Sequence, residues 1–139
     1  MSHRPEYRET IKTVLGADAT FSSYTQISAW ANAVNAEVMP AWFVATPREQ
    51  PSRSAHGQSQ RVTDLIVGLK RLGGDAIEDA LDADAVVIER LVIGALRTRE
   101  RDCELTVIDI KTDGGAEQRV GTLTLTFRIT AWMPDPALS

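Results

Sequence analysis

The sequence predicts an α+β domain in which two helices cover one face of a mostly antiparallel or mixed sheet of about four strands, with a protruding loop or β-hairpin over 47–60. Three observations carry this. Residues 61–70 and 120–132 alternate apolar and polar side chains, as half-buried strands do. Residues 5–15 and 75–96 place apolar side chains at helical spacing. Asp113-Gly114-Gly115 sits between two strand-like runs, where a hairpin turn belongs. With 139 residues, 43% hydrophobic and 24% charged, the chain has material for one core, and residues 1–139 are expected to form a single domain.

The first helix is expected to begin at Pro5, whose fixed φ suits a first helical position. Tyr7, Ile11, Val14 and Leu15 supply its buried face, and Gly16 is expected to end it. From Ala17 to Met39 two patterns stay open. Phe21 and Tyr24 fit a short strand, while Ile27, Trp30 and Val34 fall at the spacing of a helical turn. The run from Pro40 to Pro47 reads as a buried strand bracketed by prolines that cannot donate to a ladder. After it, residues 47–60 hold prolines, serines and mixed charge without apolar periodicity, which reads as a loop or a hairpin tip.

From Arg61 the alternation returns. Leu65, Val67 and Leu69 share one face, and Asp64, Gly68 and Lys70 share the other, where Ile66 breaks the polar set. That pattern predicts a strand buried on one face and partly covered on the second. A turn at Leu72-Gly73-Gly74-Asp75 leads to the longer helix, with Asp75 and Glu78 in the form of a cap and a first-turn carboxylate. Leu81, Ala85, Ile88, Val92, Ala95 and Leu96 mark its buried stripe, and Arg97, Arg99 and Arg101 suit its negative end. Val86, Val87, Leu91 and Ile93 widen that stripe beyond the needs of a sheet face, so part of it is expected to meet another chain. Leu105–Ile110 and 120–132 then form the closing hairpin. The return strand is more than twice the usual length of about five or six residues, which predicts a bulge or an overhang. Met133-Pro134-Asp135-Pro136 should end the sheet.

A search of the residue types for chemistry finds little. The net charge of −4, from 15 basic and 19 acidic side chains, argues against a main affinity for nucleic-acid phosphates or anionic lipid. The polar start of the chain lacks the apolar stretch of a signal peptide, and no run approaches the roughly 18 apolar residues of a membrane span. A soluble intracellular chain is the expectation. Cys103 is the only cysteine and reads as a small buried hydrophobe. His3 and His56 have no ligand partners at metal-site spacing, and the stretch Ser54–Ser59 has no nucleophile-and-base spacing. Gly73-Gly74 and Gly114-Gly115 lack the further glycines and lysine of a phosphate cradle. Asp75, Glu78, Asp79, Asp82 and Asp84 read as a solvated acidic helix start without calcium-loop spacing. Trp30, Trp42 and Trp132 read as core or interface anchors, because their spacing is not that of a base-stacking sheet. Arg48, Arg53 and Arg61 read as solvated charges or as contacts to phosphate or a partner's carboxylates. No catalytic residue, metal or cofactor is expected.

In the order of these elements the chain resembles the tail terminator (minor tail protein U-like) family of long-tailed bacteriophages, prophages and gene transfer agents. The likeness rests on the opening helix through Leu15, the strand Met39-Pro40-Ala41-Trp42-Phe43-Val44, and Arg61-Val62-Thr63-Asp64-Leu65-Ile66-Val67 after a polar loop. The helix from Leu81-Asp82 to Leu96 and the strand Gly121-Thr122-Leu123-Thr124-Leu125-Thr126-Phe127 complete it. It spans nearly the whole chain as element order and patterning, and no single motif is diagnostic.

The resemblance implies a non-enzymatic virion protein, assembled in the host cytoplasm and placed at the head-proximal end of the tail. It would form a homo-oligomer, a hexameric ring that caps the tail tube protein, stops tube growth and offers a surface to the head-tail connector protein. DNA would pass through the lumen without specific binding, and no membrane is involved. A ring whose far face does not copy the tube subunit cannot template another layer. On this reading 47–60 is a flap toward a neighbour or the tube. The partner-binding residues implied are Arg48, Glu49, Arg53, His56 and Arg61 around that flap, with Val87 and Ile93 on the long helix. The alternatives are a tail-completion or stopper protein, a non-phage α+β ligand-binding module with a concave pocket, and a small enzyme.

Overall fold

Seven elements follow one another in a computed structural model that describes residues 3–27, 39–53, 57–114 and 119–134. They are α1 (Arg4–Ala17), β1 (Thr25–Gln26), β2 (Ala41–Arg53), β3 (Gln58–Gly73), α2 (Ile77–Leu96), β4 (Arg101–Gly114) and β5 (Arg119–Pro134). The strands form one mixed sheet in the order β1-β2-β3-β5-β4, antiparallel throughout except that β1 runs parallel to β2. This is the expected α+β class with five strands instead of four. The added strand is β1, held where Thr25 N–H donates to the Pro40 carbonyl and Ile27 N–H to the Trp42 carbonyl, both at 2.9 Å. Phe21 lies in the turn before it, fully buried and edge-on to Tyr24. Trp30 and Val34 fall outside the described residues.

Both helices lie on one face. Tyr7, Ile11 and Leu15 of α1 and Leu81, Ile88, Val92 and Leu96 of α2 close over Trp42, Val44, Leu65, Val67, Leu69, Cys103, Leu123, Leu125, Phe127 and Ile129. Each large apolar side chain so buried contributes about 1.5–3 kcal/mol. The fit of α2 on β5 is close: a Cβ on Gly121 would fall 2.6 Å from Leu81 Cδ1. In α1, Val14 is only half-buried, and the helix runs one residue past Gly16. Asp18, in extended conformation, ends it, its carboxylate accepting the Thr20 N–H at 2.9 Å. That side-chain turn, and not Gly16, marks the end of the helix.

Of the loop or hairpin expected over 47–60, residues 47–53 and 58–60 form antiparallel strand. Pro47 does not end β2, which continues to Arg53 across a register shift between Ala45 and Arg48. Two residues there oppose one on β3, so Pro47 sits in a bulge and no ladder bond is lost. Residues 54–56, His56 among them, lie outside the described residues. Gly57, just before β3, has φ 77°, in the left-handed region that favours glycine.

The N-cap of α2 is Ala76, without a side-chain bond, and Asp75 lies one position too early to cap. Ile77 N–H bonds to the Gly74 carbonyl at 3.2 Å, which starts the helix after Asp75 has been passed. Glu78 and Asp79 still place negative charge in its first turn. At the other end two arginines cross. Arg101 of β4 donates to the Leu96 carbonyl at 2.6 Å, while Arg97 donates to the Cys103 carbonyl at 2.7 Å. Arg99 stays exposed.

Of the bulge or overhang expected in the return strand, the overhang is what forms: Arg101, the first residue of β4, pairs with Ala131, and β5 runs on to Pro134. All sixteen residues of β5 pair with β3 without a break, and the register shift falls between Leu105 and Val107 of β4. Pro134, the last described residue, pairs with Gln58, and Asp135 and Pro136 lie outside the described residues.

Candidate interaction surface

Among the described residues both helices cover one face, and the other face of the sheet carries side chains in register rows. Directly opposed residues of an antiparallel ladder point to the same side. One row reads Arg48 on β2, Asp64 on β3, Arg128 on β5 and Glu104 on β4. Its charges alternate +, −, +, −. Arg128 and Glu104 form an ion pair at 3.6 Å, each side chain about half exposed, so the pair orients the surface more than it stabilises it. The next row is Ala45, Ile66, Thr126 and Val107, and the one beyond is Phe43, Gly68, Thr124 and Asp109. Phe43 lies across Gly68, where an added Cβ would come within 2.2 Å of its ring. This is the partial covering of the second face that Ile66 and Gly68 suggested. Val107 at 52% and Trp132 at 51% exposure leave apolar surface open on the same side.

The sheet also has two edges. On β4 the outer edge carries exposed Asp102, Glu104, Thr106, Val107, Ile108 and Asp109 and contains no proline. On β2, among the described residues, β1 pairs with the outer edge at Ala41 and Trp42, and Pro47 and Pro51 supply no N–H farther along. Residues 43–50 lie between those limits.

The residues the sequence singled out are not gathered at one site. Arg48 is exposed on the helix-free face. Glu49 and Arg61 point to the helix side of the hairpin and engage each other at 3.5 Å, with the Thr63 hydroxyl donating to Glu49 at 3.4 Å. Arg53 is exposed near the tip. Val87 and Ile93 are half-buried against this chain's own core, and it is Val86, at 68% exposure, that α2 turns fully to solvent. α1 packs beside α2 on the same face of the sheet. His3 is bonded to Glu6 at 3.1 Å and stacked on Tyr7.

The residue most clearly misjudged from sequence is Asp84. It belongs to no solvated acidic face: it is 5% exposed and bound to Arg71 at 2.9 Å, and Arg71 also donates to the Tyr24 hydroxyl at 3.3 Å. The signal was present, since Asp84 falls on the same helical face as Leu81 and Ile88. Burial pushes its carboxyl above the usual value against the pull of Arg71. Burial likewise pushes the Cys103 thiol up to about 11, which leaves it protonated and a poor nucleophile at neutral pH.

One cleft opens where Tyr7, Arg101, Glu100 and Met133 meet, with the Arg101 guanidinium 5.2 Å over the Tyr7 ring. At about 130 Å³ it is below the several hundred cubic ångströms of a small-molecule site. Among the described residues no three His, Cys, Asp or Glu side chains are grouped to hold a metal ion, and no helix is long and apolar enough to cross a membrane. No protein-family model matches the chain, and no curated protein matches it.

Proposed function

We propose that the chain is a structural, ring-forming phage tail protein that caps the tail tube, ends its polymerisation and presents a head-attachment surface. The observation that carries the reading is the sheet itself. Among the described residues its helices occupy one face, and its long strands β2, bordered by the two-residue β1, and β4, at the far edge, run in opposite directions. A subunit with unlike, complementary edges adds to copies of itself head to tail, and such a contact closes into a ring when the rotation allows. The resemblance of the order of elements along the chain to that of tail terminators supplies the choice among ring-forming proteins.

Function in this reading is a matter of surfaces, so it needs no activated group. The buried, protonated Cys103 and the small cleft at Tyr7 fit that better than they fit an enzyme or a ligand-binding module. The test is to add the purified chain to growing tubes of the tail tube protein from the same source and image the ends. Tubes that stop lengthening and carry a ring at one end support the proposal. Tubes that grow undiminished with bare ends contradict it, and rings that leave tubes bare point instead to a tail-completion or stopper protein.

A further inference from the structure

Resting on the ring-forming reading, we propose that neighbouring copies join edge to edge, β4 of one beside β2 of the next, with Glu104 of one copy facing Arg48 of its neighbour. Three independent features of the sheet meet in this contact.

The first is direction. Going across the sheet, β2, β3, β5 and β4 alternate in sense, so β4 of one copy and β2 of the next are antiparallel when the same face is kept outward. The added ladder would be of the same kind as the three within the chain.

The second is charge. The row Arg48, Asp64, Arg128, Glu104 begins positive at the β2 edge and ends negative at the β4 edge. Setting the edges side by side continues the alternation across the boundary, because Glu104 then lies next to an arginine on each side. The same alignment brings exposed Val107 beside Ala45 and Asp102 beside Gln50. Pairing two β4 edges through a two-fold axis would instead bring together two copies of a face that carries Asp102, Glu104, Asp109 and Asp113 against the single basic Lys111.

The third is extent. Among the described residues, β1 pairs with the β2 edge at Ala41–Trp42, and Pro51 lacks a donor at the other end, as Pro47 does at the bulge between. Pro51 stands in register with Arg61, Ala131 and then Arg101, the first residue of β4. The free edge of β2 therefore stops at the level where β4 starts. Both edges carry their bulge at neighbouring levels, between Ala45 and Arg48 and between Leu105 and Val107, so the irregularities lie alongside one another.

The experiment uses two single reversals of the full chain, Arg48→Glu and Glu104→Arg, read by sedimentation or native mass. Each alone should raise the concentration for half-assembly by about tenfold or more, because every contact in its ring then sets like charges face to face. Mixed one to one, they should assemble again, since alternating copies restore an opposite pair at every boundary. Single reversals that assemble like the unmodified chain overturn the proposed contact and leave the ring reading standing. So does a mixture that fails to assemble while both variants keep the unmodified thermal midpoint. An unmodified chain that stays monomeric overturns the ring reading itself. Should either reversal fail to fold, the chain carrying both Arg48→Cys and Glu104→Cys offers a second route. Oxidation should link copies into a ladder that the single-cysteine variants do not give, and no ladder from assembled rings overturns the contact.

Discussion

The Asp84 carboxylate of α2 accepts a hydrogen bond from the Arg71 guanidinium of β3 at 2.9 Å, in a setting that leaves Asp84 5% exposed. Through Arg71 the bond reaches the Tyr24 hydroxyl, so one side chain ties the long helix, the sheet centre and the approach to β1. Burial outweighs Arg71 and raises the Asp84 pKa above its ordinary 3.8.

A raised carboxyl pKa gives a definite sign. The folded chain holds the Asp84 proton longer than the unfolded chain, so this group's contribution is fully present below pH 3.8 and is lost as pH rises through the raised value. Asp84→Asn should remove that part of the acid-range dependence. Thermal midpoints of both proteins between about pH 3 and 6 check it: the gap between them should shift in favour of Asn as pH rises.

Removing one partner of the same pair should cost more than removing both. Asp84→Ala is expected to destabilise by roughly 2 kcal/mol, less than for a sealed pair because Arg71, at 29% exposure, can rehydrate. Asp84→Leu combined with Arg71→Leu should recover most of that loss in denaturant titrations.

Gly68 leaves the room that Phe43 fills. Gly68→Ala should cost about 1–2 kcal/mol, because the ring must swing toward solvent to clear the added methyl. Combined with Phe43→Ala, the second substitution should cost less than it does alone, and a double-mutant cycle by chemical denaturation measures the difference.

Cys103, with its thiol pushed up to about 11 and its side chain fully buried, should resist alkylation at pH 8 in the folded protein. Modification by a chromogenic thiol reagent should track unfolding. Rapid reaction under native conditions would contradict the burial.

The fold was readable wherever a pattern was local. Alternation at Leu65, Val67 and Leu69 and at Leu123, Leu125, Phe127 and Ile129 marked the two central strands, and all of these are buried. What escaped depended on pairing between distant segments. That Arg48, Asp64, Arg128 and Glu104 share a row follows from the β3–β5 register, which joins segments separated by α2 and β4 and leaves no local trace. Asp84 was misread because a carboxylate among other carboxylates suggests solvent, whereas its helical position beside Leu81 and Ile88 suggests the core. Pro47 was misread because a bulge lets a proline sit within a strand.

Native mass measurement of the unmodified chain across a concentration series tests the central claim most directly. A species of six chains that persists on dilution, with a ring outline in images of the same sample, is the result expected for a head-to-tail assembly. A monomer at every concentration, or a two-chain species that grows no further, would contradict it.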